Sequence, residues 1–190
     1  MKIAETGRLM GMINYWEGTI EKGVSFFEYF KYLPLLLGIL LAVTQYVPEL
    51  QFKRLKLTLH LPLPEKNIIA VMLAYGLAVE LLFILITVPL LLLGLSFGFP
   101  REIVWGAFWL ILPWFLAGLA AYLIASWICL EPQWKQRVLD FIPGAGVISF
   151  FFMGVKAGAY QPFVIYLVGF ILLAFAFSFY SAIRFKEGKS

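Results

Sequence analysis

The sequence predicts an all-α integral membrane protein: a bundle of about five transmembrane helices with a short helix on the cytoplasmic surface. Three observations lead there. The chain is 62% hydrophobic and 14% charged, with a mean hydropathy of +0.89, whereas soluble domains carry about 25% charged residues. Its uncharged runs reach 28 residues (103–130), and about 20 apolar residues suffice to cross a bilayer as a helix. The cations between these runs fall in short clusters, as they do in the cytoplasmic loops of membrane proteins. With 190 residues, the chain makes a single membrane domain.

Residues 1–30 read as an extracytoplasmic tail, amphipathic or irregular. Lys2, Glu5, Arg8, Glu17, Glu21 and Lys22 interrupt it, so it lacks the apolar core of a secretory signal. Met10, Met12, Ile13, Tyr15 and Trp16 could rest at a membrane interface. A first span is expected near 27–48, with Pro34 in its opening turn, where the missing N–H costs nothing.

The stretch 50–64 separates the first two spans. It holds Lys53, Arg54 and Lys56, with Lys66 just beyond, and short Lys/Arg-rich loops stay in the cytoplasm. Leu55, Leu57, Leu59, Leu61 and Leu63 alternate with polar residues or prolines. Taken alone this period of two means a strand, but a lone strand has no ladder partner. A surface helix fits better, with Phe52, Leu55 and Leu59 on one stripe and Leu57 and Leu61 nearly opposite. Pro62 and Pro64 end it. An ordinary cytoplasmic loop with interfacial leucines fits the same residues.

The second span is expected near 67–90, with Pro89, Gly94, Gly98 and Pro100 breaking the rest of the run. The third is expected near 103–130. Trp105 and Trp109 lie one turn apart near its outer boundary, and Pro113 would kink it. Ala117, Ala121 and Ala125, with Gly118 and Ser126 beside them, form a stripe of small residues that lets helices approach closely. Glu131–Asp140 reads as a second inner loop. Residues 141–155 are either a short span or half of a re-entrant hairpin, and 161–183 are the last span. On this topology nine Lys/Arg face inward, the outer loops carry only Arg101 and Lys156, and the tail holds Lys2, Arg8, Lys22 and Lys31, offset by Glu5, Glu17, Glu21 and Glu28.

Residues for catalysis are scarce, and the chain does not read as an enzyme. His60 is the sole histidine and Cys129 the sole cysteine, which excludes an intrachain disulfide and a His/Cys metal cluster. Gly188-Lys189-Ser190 imitates the end of a phosphate-binding loop, but Ile183 stands where its first glycine belongs. Gly144-Ala145-Gly146 is half a dinucleotide fingerprint in an apolar context. The net charge of +4 follows from the inward loops and does not indicate nucleic-acid binding. No cofactor of the chain's own is expected.

Glu80 is the one ionisable residue in the run 67–100. At mid-membrane such a group costs roughly 2.5–3.5 kcal/mol, so it should face the bundle interior or water. It is either a polar element of a substrate path or gate, or a helix-packing residue hydrogen-bonded to Thr44, Gln45 or Tyr75.

The segment LPLLLGILLAVTQYVPE (33–49), followed by KRLKLTLHLPLPEKN (53–67) and a long apolar helix, resembles the membrane subunit of type 2 ABC transporters, the ABC exporter permease family. In that family a basic segment of the form R-x-K-x-T-L-x-L-P follows the second membrane helix. Arg54, Lys56, Thr58, Leu59, Leu61 and Pro62 match it here. The resemblance implies that 50–64 is a coupling helix, with Lys53, Arg54, Leu55, Lys56, Thr58, Leu59, His60, Leu61 and Pro62 seated in a separate ABC ATPase subunit. It implies ATP and magnesium on that partner, a homo- or heterodimer of permease subunits, and the bacterial cytoplasmic membrane as location. Residues 1–30 resemble the family's loop between helices one and two, so a permease lacking its first transmembrane helix is expected. The likeness covers about 25–186 and is sharpest over about 30–67. Without the resemblance, a non-transporting membrane scaffold or an intramembrane enzyme acting on lipids or peptides would fit the same composition.

Overall fold

The structure, a computed structural model, describes residues 30–51, 65–97, 100–131, 133–154 and 159–187. Five α-helices account for most of them: α1 (Leu33–Gln51), α2 (Glu65–Ser96), α3 (Arg101–Leu130), α4 (Trp134–Phe150) and α5 (Val164–Glu187). A 3-10 turn, Gln161–Phe163, leads into α5, and no strand occurs among the described residues. Four helical stretches are long and apolar enough to cross a membrane: Leu33–Gln51, Asn67–Ser96, Val104–Leu130 and Gln161–Tyr180. The chain is an all-α, multi-pass membrane protein. In lipid a backbone must satisfy its own hydrogen bonds, and runs this apolar can do so only as helices.

The middle of the bundle is α3. In its membrane window 72% of residues are buried, against 22%, 11% and 17% in the windows of α1, α2 and α5. The sequence explains the choice, because α3 carries Ala117, Gly118, Ala120, Ala121 and Ser126 among its larger side chains. Apolar surface alone does not drive helices together in lipid, so tight backbone approach and interhelical hydrogen bonds do. Both occur along this helix.

Pairs of contacting residues set the direction of each helix. Gly76, Glu80 and Phe83 of α2 meet Tyr122, Gly118 and Phe115 of α3 in that order, so α2 and α3 are antiparallel. Gly38 of α1 packs on Gly118, while Gln45 and Tyr46 reach Tyr122, so α1 runs parallel to α3. Leu167 packs near Ala117 and Ala120, and Ser178 reaches Leu123, so α5 is parallel as well. Gly144 of α4 lies on Ile124 and Phe151 clusters with Ala117 and Ala120, making α4 antiparallel. Helices α1, α3 and α5 therefore point one way and α2 and α4 the other.

Several boundaries differ from the sequence reading. The first helix begins at Leu33 and extends to Gln51, and the second continues through Pro89 to Ser96. Proline is tolerated inside membrane helices because local adjustment and neighbouring groups satisfy the freed carbonyl. Helix α3 also continues through Pro113. The inner loop expected over Glu131–Asp140 is short, since α4 starts at Trp134. Arg137 Nε donates to the Glu131 carbonyl at 2.6 Å, and Gln136 Nε2 donates to Asp140 Oδ1 at 2.9 Å. The second pair lies one helical turn apart within α4, and the first ties α4 back to the end of α3. With 17 residues, α4 lies outside the four long apolar stretches, yet it runs back along α3 from the end where α3 stops.

The turn between α4 and α5 is stapled by Tyr160. Its hydroxyl donates to the Phe150 carbonyl at 2.5 Å and accepts the Gly154 N–H at 2.8 Å. A side chain at Gly154 would collide with the Tyr160 ring. Phe152 of the same turn packs on Tyr32, with ring centroids 5.3 Å apart, so this turn and the start of α1 lie at one end of the bundle.

Candidate functional site

The coupling residues Lys53, Arg54, Leu55, Lys56, Thr58, Leu59, His60, Leu61 and Pro62 lie outside the described residues, as does most of the tail 1–30. What is described is how the helices on either side of 52–64 are anchored. Gln51 ends α1 and Glu65 opens α2. Both ends belong with Leu130 and Trp134, because α1 is parallel and α2 antiparallel to α3. Lys135 and Arg137 follow at the same end.

A polar clamp ties these two helices to α3 within the bundle. Gln45 Nε2 donates to the Met72 carbonyl of α2 at 2.8 Å, and the Tyr122 hydroxyl donates to Gln45 Oε1 at 3.0 Å. Tyr46 and Tyr122 hydroxyls are 3.5 Å apart. The Tyr122 hydroxyl also lies 3.4 Å from the Met72 carbonyl and 3.5 Å from the Leu73 carbonyl. Ser126, one turn further along α3, donates back to the Tyr122 carbonyl at 2.7 Å. The Tyr122 ring reaches this position over Gly76, where any Cβ would overlap it. Three helices thus share one amide, two phenols and a missing side chain.

Sequence reasoning named Gln45 only as a partner for Glu80 and passed over Tyr122. The signal was there: a phenol in a 28-residue uncharged run needs a hydrogen-bond partner when buried.

Glu80 lies one turn further along α2 and is 0% exposed. It faces the interior, as an intramembrane carboxyl should. The hydrogen bonds expected for it are not made. Thr44 donates to Leu40 and Leu41 of its own helix, Gln45 is engaged in the clamp, and Tyr75 is 63% exposed. Neither Glu80 oxygen has a hydrogen-bond partner among the described residues. Its Oε1 occupies the space that a side chain at Gly118 would take, 2.5 Å from the Cβ position, with the Pro34 carbonyl oxygen 2.9 Å from the same point. The carboxyl is therefore packed between the backbones of α1 and α3.

Among the described residues no group of three His, Cys, Asp or Glu side chains could hold a metal ion. No family model, curated protein or solved structure matches the chain.

Proposed function

We propose that the chain is a permease subunit of an ABC-type transporter in the cell membrane, which exports its substrate when a separate ATPase subunit closes on the segment 50–64. The observation that carries this reading is the clamp beside that segment. A pull on 52–64 enters α1 at Gln51 and α2 at Glu65, and the bonds of Gln45 to Met72 and Tyr122 pass it directly to α3. The resemblance of 53–67 to a coupling segment gives this tie its role, since interhelical hydrogen bonds also hold membrane bundles together in general. The basic residues Lys53, Arg54 and Lys56, with Lys135 and Arg137 at the same end among Glu49, Glu65, Glu131 and Asp140, would offer charged contacts to a soluble partner in the cytoplasm. ATP hydrolysis belongs to that partner. Two such subunits, identical or different, would enclose the path.

The test is purification of the tagged chain from native membranes in mild detergent. Recovery of a stoichiometric subunit with a GxxxxGK[ST] loop, whose ATP hydrolysis rises on reconstitution with the chain, supports the proposal. A chain recovered without any ATP-hydrolysing subunit overturns it.

A further inference from the structure

Helices α1 and α2 both pack on α3 but touch one another little. Near the start of α1 the gap between them is a half-open recess of about 170 Å³. Phe30, Leu33 and Pro34 form one wall, and Phe83, Thr87 and Leu91 of α2 form the other. Ile111, Trp114 and Phe115 of α3 close the floor. The α2 residues follow one another at i, i+4 and i+8, so that wall is a single helix face. It runs about 12 Å along the axis at 1.5 Å per residue. Phe30 is 51% exposed and Leu33 43%, whereas Ile111, Trp114 and Phe115 are buried. The recess therefore opens past the start of α1 and deepens toward α3.

The surroundings of the recess decide what can fill it. Apart from Phe30, every lining residue lies in a stretch apolar enough to cross a membrane. Ile111 is ten residues from Arg101, about 15 Å along α3, so the recess sits well inside the bundle's length. At that depth the medium outside the mouth is hydrocarbon. Among the lining side chains only Thr87 and Trp114 carry a polar atom, whereas a buried water needs about two to four polar partners. Left unfilled, the walls would forfeit dispersion contacts. A long slot open to the bilayer suits the linear alkyl chains that surround it, and any other apolar molecule would have to displace them.

We propose that this recess is a binding site for one acyl chain of a membrane phospholipid, which lies along Phe83, Thr87 and Leu91 above Trp114. The chain joins α1 to α2 where their own side chains leave a gap. Nearer the other end of α1, Gln45 joins the same two helices directly through the Met72 carbonyl, so protein and lipid hold the pair at two levels. The site takes the hydrocarbon chain, and no headgroup contact is part of it. It stands whether or not the protein works with an ATPase, because binding is measured without one.

The experiment uses the full chain in phosphatidylcholine nanodiscs doped with a phosphatidylcholine that carries a photoactivatable diazirine on its acyl chain. After irradiation, mass spectrometry of the peptides locates the adducts. Trp114 and Phe115 should be labelled although they are buried, as should the exposed Leu90, while Leu123, buried elsewhere on α3, should not. Thr87→Phe combined with Leu91→Phe fills the recess and should bring Trp114 and Phe115 down to the level of Leu123, with Leu90 unchanged. Wild-type labelling of Trp114 and Phe115 no higher than that of Leu123 overturns the proposal, and assigns the recess to a second copy or to another part of the chain. Undiminished labelling in the filled variant overturns it equally, because the lipid would then reach α3 by another route. Should the filled variant fail to fold, the wild-type comparison with Leu123 decides alone.

Discussion

Gly38 of α1 rests directly on the carbonyl of Gly118 of α3, so closely that a Cβ at Gly38 would overlap the carbonyl oxygen. Neither backbone can move aside without moving its helix. This contact sets the spacing of α1 and α3, and with it the position of the Glu80 carboxyl between them.

Gly38→Ala should therefore destabilise the bundle by about 1–3 kcal/mol, the usual cost of overpacking a filled interior. Gly169 is the internal control: it lies within α5 with nothing within 4 Å of its Cβ position. Gly169→Ala should be neutral or stabilising by up to about 1 kcal/mol, because alanine is the better helix former. Thermal unfolding in detergent, followed by helical circular dichroism, reads both. Equal melting of the two variants would contradict the packing argument.

Tyr122→Phe keeps the ring over Gly76 and removes only the hydroxyl that joins Gln45 and Tyr46. Interhelical hydrogen bonds in membranes contribute about 0.6 kcal/mol on average and about 1.7 at most. The variant should fold with a loss in that range, while Gly76→Leu, which displaces the ring itself, should lose more. If the clamp passes motion inward, Tyr122→Phe should also lower transport per ATP hydrolysed by the reconstituted complex. An unchanged ratio would assign the clamp to stability alone.

Glu80→Gln should reach the membrane in wild-type amount and melt within about 1 kcal/mol of it, as most substitutions without steric change do. The amide has the size of the carboxyl and carries no charge that lipid or protein must accommodate. Glu80→Lys adds length and a cation where Gly118 and Pro34 leave no room, and it should deplete the protein from membranes. Quantitative immunoblotting of the membrane fraction distinguishes the two.

Arg54→Glu and Lys56→Glu should weaken capture of the ATPase subunit without altering the melting of the isolated chain. Each replaces a cation by an anion on a surface proposed to meet a soluble partner, and unlike charge at an interface costs several kcal/mol when reversed. Pull-down at two salt concentrations provides the check. Undiminished capture by both variants would remove the coupling role.

The spans were legible because runs of 17 to 28 uncharged residues have few other physical outcomes. The small-residue stripe around Gly118 correctly marked a close helix contact, and the inward orientation of Glu80 followed from the cost of leaving it in lipid. Helix ends were less legible. Pro89 stops a helix in water more readily than in a bilayer, and the stretch 134–140 looked like a loop because its charges hide the Gln136–Asp140 pairing. The partner choice of Gln45 could not be read at all. It depends on Gly76 and Tyr122 meeting across two helices 46 positions apart in the chain. The packing of Glu80 between Pro34 and Gly118 likewise arises from three separate helices, and no local pattern encodes it.

The central position of α3 bears on how the protein is made. Helices α1 and α2 touch one another far less than either touches α3. Before α3 is made, α1 and α2 have little of one another to bind and Glu80 lacks the Gly118 backbone it packs against. The bundle can knit together only once Leu130 has left the exit tunnel.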